Sequence, residues 1–244
     1  MKDSYKKIFE KKNNILFVFA HPDDAEIYCG GIIARLVEDG KKVRLVKMTT
    51  GNKGSRDERT TEEKLAMLRE GEDHKALKEL GLNRNDSVNL DLGDGTIENS
   101  LETIELIAKE IRQFKPDLIV THNPESVLIR DLEGYYYVNH RDHRHTAINT
   151  IDAAYPYSRD TLFFPKHFDL GLATHTVVEF LFVDSWGHQD VVYIEVTQQE
   201  KKRTRATACH KSQYSIKDAQ GSTDYFAEEV DGKRYEQFRY VVAD

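Results

Sequence analysis

Ile15-Leu16-Phe17-Val18-Phe19 is an unbroken apolar run that stops abruptly in Ala20-His21-Pro22-Asp23-Asp24. A run so short and so apolar reads as a strand buried on both faces, Ile15–Ala20. A helical pattern follows at once and runs to about Glu38, with Ile27, Ile32, Ile33, Leu36 and Val37 on its apolar side, Asp24 as its cap and Gly40 beyond its end. The alternation then repeats. Val43–Met48 reads as a second strand, Thr49–Thr60 as a polar loop, and Thr61–Leu80 as a helix closed by Gly81. Ser87–Leu90 is a short strand, Asp91–Gly95 a turn, Ser100–Phe114 a helix stopped by Lys115-Pro116, and Leu118–Thr121 a fourth strand.

This order predicts an α/β fold: a Rossmann-like, mostly parallel sheet with helices on both faces. A further helix is expected over Thr146–Ala154, then an irregular, aromatic-rich stretch over Tyr155–Thr174. Val177–Val183 and Val191–Val196 read as later strands in an antiparallel C-terminal addition, and Thr197–His210 as the final helix. Residues 1–244 form one domain, of which 1–13 is a polar N-terminal extension. Gly30-Gly31 is not a dinucleotide fingerprint, because the G-x-G-x-x-G after the first strand is absent and two acids there would repel a pyrophosphate. Close helix–sheet packing explains these glycines better.

In an open α/β sheet, ligands gather outside the carboxyl ends of strands. His21, Asp23 and Asp24 fall there, and helix capping accounts for the acids but not for the histidine. A second cluster, Asn139-His140-Arg141-Asp142-His143-Arg144-His145, packs three His and one Asp into six residues. Zinc commonly takes three protein ligands and keeps one position for water. His21, Asp24 and His143 supply such a set. His145 reads as a solvated residue, and His74, His122, His167, His175 and His188 have no comparable context.

The 244 residues carry a formal net charge of −7, and no Lys/Arg run marks a nucleic-acid groove. No stretch reaches the ~18 apolar residues of a membrane span. The charged N-terminus lacks a signal-peptide core. Two cysteines, Cys29 and Cys209, indicate no disulfide framework, and a reducing cytoplasm is the expected location.

His-Pro-Asp-Asp at 21–24, Gly-Gly at 30–31 and His-x-Asp-His at 140–143 resemble the PIG-L/LmbE-like N-deacetylases, metal-dependent enzymes that remove acetyl groups from N-acetylglucosamine derivatives. Arg69, Glu72, Ala76, Leu80 and Gly81 fit the family's R-x-x-E-x-x-x-A-x-x-x-L-G pattern. Asp94-Gly95, Lys115–Asp117 and His210-Lys211-Ser212-Gln213 follow in the family's order. The arrangement is closer to the diacetylchitobiose deacetylase branch than to the inositol-linked ones. The resemblance implies metal ligands at His21, Asp24 and His143, and a general base at Asp23. It also implies a His140–Asp142 pair beside the metal in which Asp142 keeps His140 protonated, a carbonyl-polarising His210, and sugar contacts at Arg69 and Asp94. Without it, Arg69 would read as an intrahelical ion pair with Glu72 or Asp73, and Asp94 as a turn former. Ala25 and Arg141 replace the Glu and Pro common at those places; neither change removes a ligand.

The function so implied is hydrolysis of the N-acetyl group of a small N-acetylglucosamine-containing substrate, by metal-activated water with Asp23 as base. The expected ion is Zn²⁺, with Fe²⁺ or Co²⁺ also suited to mixed N/O donors. An amidase for another small amide, such as a thiol conjugate, and a non-catalytic sugar-binding protein on the same fold are the alternatives. The family also assembles into homo-oligomers, which leaves open whether His210 completes its own site or a neighbour's.

Overall fold

The computed structural model describes residues 1–131 and 133–243. The N-terminal segment is less polar in use than in composition. It carries helix α1 (Tyr5–Phe9), whose Tyr5, Ile8 and Phe9 are buried in the main core, while Arg35 lies over the Tyr5 ring. The Tyr5, Ile8 and Phe9 side chains tie the segment to the core, while most of its lysines face outward. Strand β1 (Asn14–Phe19) then enters the centre of the sheet. Its Ile15, Phe17 and Phe19 join one core cluster and its Leu16 and Val18 another, so both faces are covered.

The alternation continues as α2 (Asp24–Glu38), β2 (Lys42–Thr49), α3 (Glu62–Leu80), β3 (Ser87–Leu92), α4 (Leu101–Phe114) and β4 (Leu118–Thr121). Thr61 and Ser100 cap α3 and α4 through their hydroxyls, and Gly81 closes α3 in the left-handed conformation at φ 88°. A small hairpin follows, β5 (Leu128–Arg130) with β6 (Tyr136–Val138), leading into α5 (Arg141–Asp152). Beyond it come α6 (Lys166–Asp169), β7 (Glu179–Phe182), β8 (Val191–Glu195), α7 (Glu200–Thr207), α8 (Ile216–Phe226), β9 (Ala227–Val230) and β10 (Lys233–Val242).

The sheet runs β3-β2-β1-β4-β7-β10-β8, with β9 paired to β10. It is parallel from β3 through β7, whereas β10 is antiparallel to β7, β8 and β9. The expected α/β class and mostly parallel sheet are thus what the chain forms. The chain leaves β1 toward β2 on one side and returns to β4 on the other, so a crevice opens at the carboxyl ends of β1 and β4.

Two expectations are corrected. Helix α5 starts at Arg141 rather than Thr146, which puts the His140–His143 cluster on its first turn. Thr197–His210 is neither continuous nor final: its α-helical part is α7, and α8 and the β9–β10 hairpin follow. Strand β10 of that hairpin carries a buried charge, Glu236. Glu236 pairs with the fully buried Arg203 of α7 at 3.0 Å and accepts the N–H groups of Gly31 and Ile32 at 2.7 and 2.8 Å. The packing expected of the glycines is found there. A Cβ on Gly30 would sit 2.8 Å from the Arg203 side chain, and one on Gly31 2.6 Å from Val196. Among the described residues no helix is long and apolar enough to cross a membrane, and both cysteines are free thiols.

Candidate active site

The turn after β1 is anchored by Thr49, whose backbone N–H donates to the Ala20 carbonyl at 3.0 Å. The two acids that follow are not spent on capping. Asp23 occupies the N-cap position of α2 with no side-chain bond to the helix, and Asp24 Oδ2 accepts the backward N–H of His21 at 2.8 Å. Both carboxylates are buried at the crevice. His140 begins α5 by accepting the Asp142 N–H on its Nδ1 at 3.2 Å, which leaves His143 one turn further in, facing β1.

His21, Asp24 and His143 converge. His21 Nδ1 lies 3.2 Å from His143 Nε2 and 3.4 Å from Asp24 Oδ2, and His143 Nε2 lies 3.3 Å from Asp24 Oδ1. Donors held 2.0–2.1 Å from a tetrahedral zinc ion are spaced by about 3.3–3.4 Å. The three side chains thus bring two imidazole nitrogens and a carboxylate to about these separations, His21 nearest one Asp24 oxygen and His143 nearest the other, and the donor types suit a divalent ion. Burial works against the charge on Asp24, but His143, His122 and His21 outweigh it and hold the carboxyl well below its ordinary range.

The far nitrogen of His21 is also held. Its Nε2 stands 3.3 Å from Asp94 Oδ1 and 3.5 Å from Asp142 Oδ2. Burial opposes protonation of His21, and Asp24, Asp142 and Asp94 together overcome it, so the imidazole is raised well above its usual value. Asp142 also accepts the N–H groups of Gly95 at 2.6 Å and Ile97 at 3.3 Å. The Asp142 carboxylate faces His21, and His140 bonds instead to the Asp142 backbone N–H. Loss of hydration, then the neighbouring His21 and His143, push His140 below the ordinary imidazole value, and the opposing pull of Asp142 is smaller. The ring of His140 is exposed at the cavity mouth.

Asp23 is clamped by Arg69, whose Nη2 donates to Oδ1 at 2.6 Å while Nη1 donates to the Gly51 carbonyl at 2.9 Å. Arg69 does not pair within its helix: Glu72 turns to Ser212, and Asp73 to Lys47. Gly51 has φ 64°, and a Cβ there would fall 2.4 Å from the Arg69 guanidinium, so this close approach needs a glycine. Arg69 and Asp94 both line the cavity, of about 450 Å³, that opens over the His21–His143 centre past Lys53, Tyr28 and Phe226.

His210 lies elsewhere. It is fully buried, with Nε2 3.4 Å from Glu26 Oε2 in a closed group with Asp73. It does not line the cavity; Gln213 and Tyr214, just beyond it, reach the cavity wall. Conversely, His122 belongs to the site although its sequence context singled out nothing. It directly follows β4, its Nε2 is 3.3 Å from Asp24 Oδ2, and its ring stacks on His143 at 3.9 Å. Burial pushes it down to about 3. The signal that could have found it is position, the first residue past the strand next to β1. Asp184, just beyond β7, closes the back of the site. It accepts the Tyr137 hydroxyl at 2.7 Å, and burial raises it to about 6.

Comparison with known proteins agrees with this architecture. The chain is 25% identical over 206 residues to a diacetylchitobiose deacetylase of Thermococcus kodakarensis, covering 84% of this chain and 72% of that one. The N,N'-diacetylchitobiose deacetylase of Pyrococcus horikoshii, solved with an inhibitor, superposes with a TM-score of 0.82 at 24% identity, over 96% of this chain and 85% of the other. The same fold also carries different chemistry: GalB, a 4-carboxy-2-hydroxymuconate hydratase from Pseudomonas putida, superposes at 0.70 with 18% identity, over 96% of this chain and 97% of that one. A family model described as PIG-L, GlcNAc-PI de-N-acetylase, matches residues 16–154, more than half of the chain and the span that holds both His/Asp clusters. The chain belongs to the PIG-L family.

Proposed function

We propose that this protein is a metal-dependent hydrolase that removes the N-acetyl group from a small N-acetylglucosamine-containing substrate. The observation that carries the reading is the convergence of His21 Nδ1, His143 Nε2 and the Asp24 carboxylate at 3.2–3.4 Å, with the non-ligating Asp23 beside them. Zinc is the ion this donor set suits best, with Fe²⁺ or Co²⁺ as substitutes. When bound, it supplies Lewis-acid polarisation of the acetyl carbonyl and a lowered pKa for water.

The protein's own groups do the rest. Asp23, held by Arg69, accepts the proton of the attacking water and returns it to the departing amine, since an amine leaves poorly until protonated. His140, exposed at the cavity mouth, donates to the developing oxyanion. Asp94 and Asp142 hold His21 by its Nε2, which keeps Nδ1 turned to the ion. Arg69 and Asp94 also offer hydrogen bonds to sugar hydroxyls, and buried polar groups reject analogues that leave them unpaired. The free thiols and acidic charge suit a cytoplasmic enzyme on a soluble substrate.

The hydratase on this fold makes acetate release, rather than shape, the deciding test. N-acetylglucosamine, diacetylchitobiose, and inositol- and malate-linked N-acetylglucosaminides are compared with acetylated peptides, thiol-conjugate amides and O-acetyl esters. Acetate release from at least one amino sugar, abolished by chelation and restored by zinc, is expected. Activity confined to peptides, thiol conjugates or esters would refute the substrate class and leave the hydrolase standing.

A further inference from the structure

Asp24 is buried, and a carboxylate that gives one oxygen to a metal needs a partner for the other. Oδ1 is the oxygen that faces His143. Oδ2 accepts the His21 backbone N–H at 2.8 Å, and His122 Nε2 stands 3.3 Å away. The rings of His122 and His143 are nearly parallel, 7° apart, with His122 Nε2 nearest one oxygen of the carboxylate and His143 Nε2 nearest the other. Phe19 and Tyr28 close the other sides of His122 with their rings at 4.8 and 5.7 Å.

A neutral imidazole carries one proton, and its position decides the role. His122 Nδ1 is buried without a hydrogen-bond partner. Nε2 has two neighbours, the Ala20 N–H at 3.2 Å and Asp24 Oδ2. A proton on Nδ1 would leave that donor unsatisfied among aromatic rings and set the Nε2 lone pair against a carboxylate. A proton on Nε2 forgoes the Ala20 contact and gains a charge-assisted bond, the stronger of the two. On the metal-site reading above, we propose that His122 is a positioning residue for the metal: its Nε2–H holds Oδ2 of Asp24 and so presents Oδ1 to the ion.

Two measurements test this. In the zinc-loaded wild type, ¹⁵N NMR of His122 should show Nε2 protonated and Nδ1 bare; the reverse tautomer, with Nε2 accepting from Ala20, overturns the proposal without any variant. Zinc affinity is then measured by competition with a chromogenic chelator for His122→Phe, which keeps the stacked ring and loses the donor, and for His122→Gln, which restores an N–H donor. The Phe variant should bind one zinc about 10–100-fold more weakly at unchanged metal-free melting temperature, and the Gln variant should recover most of the loss. Equal affinity of the Phe variant and wild type overturns the role. So does complete loss of zinc in both variants, which would make His122 a ligand. A wild type that binds no zinc instead defeats the metal reading itself. If His122→Phe does not fold, the tautomer alone decides.

Discussion

Asp184 joins the β5–β6 hairpin to the end of β7 behind the site, and its buried carboxyl makes stability pH-dependent in a direction that can be worked out. Burial raises it from 3.8 to about 6. A folded-state value above the unfolded one means that the protonated form is favoured in the native protein. Its contribution is fully present below about pH 4 and is lost as pH rises through 6. The rise from 3.8 to about 6 corresponds to about 3 kcal/mol, of which about half is lost between pH 5 and pH 8. Asp184→Asn keeps an oxygen to accept the Tyr137 hydroxyl and removes the charge. Urea unfolding of the two proteins should therefore diverge with pH, the variant gaining about 1–2 kcal/mol on wild type from pH 5 to pH 8. A difference that stays constant, or shrinks, over that range would refute the burial argument and would mean that Asp184 is ionised and well solvated in the native state.

Asp23→Asn should keep its zinc and lose about 10²–10⁴ in turnover, while Asp24→Asn should lose zinc; metal analysis beside acetate release separates these neighbours. Asp94→Ala should weaken zinc binding about 10–100-fold as well as raising KM, because the carboxylate holds His21 as well as lining the cavity, and unchanged affinity would leave it as a sugar contact alone. Gly31→Ala should destabilise the fold by about 1–2 kcal/mol in urea melts, overpacking against Val196 and Glu236 exceeding the helix-propensity gain of alanine.

The central sheet was legible because its strands are apolar on both faces and its helices carry ordinary stop signals. Leu118–Thr121 and the end of α3 at Gly81 fell where the pattern put them. The C-terminal hairpin was not legible, because Glu236 is buried only by virtue of Arg203, a partner 33 residues away that local pattern cannot supply. The His/Asp clusters stood out by density, and the fold brings His21, Asp24 and His143 together. His122 carries no local signal; only the adjacency of β1 and β4 makes it a neighbour of Asp24. For the same reason the neighbours of Asp142 and His210 carry no local signal: the fold sets Asp142 against His21 and His210 against Glu26.

The metal centre is tested most directly by anomalous diffraction at the zinc edge from crystals of the zinc-loaded protein. One peak per chain is predicted, about 2.0–2.2 Å from His21 Nδ1, His143 Nε2 and an Asp24 oxygen. No peak at that place, or a peak only in the buried Glu26–Asp73–His210 group, would contradict the account.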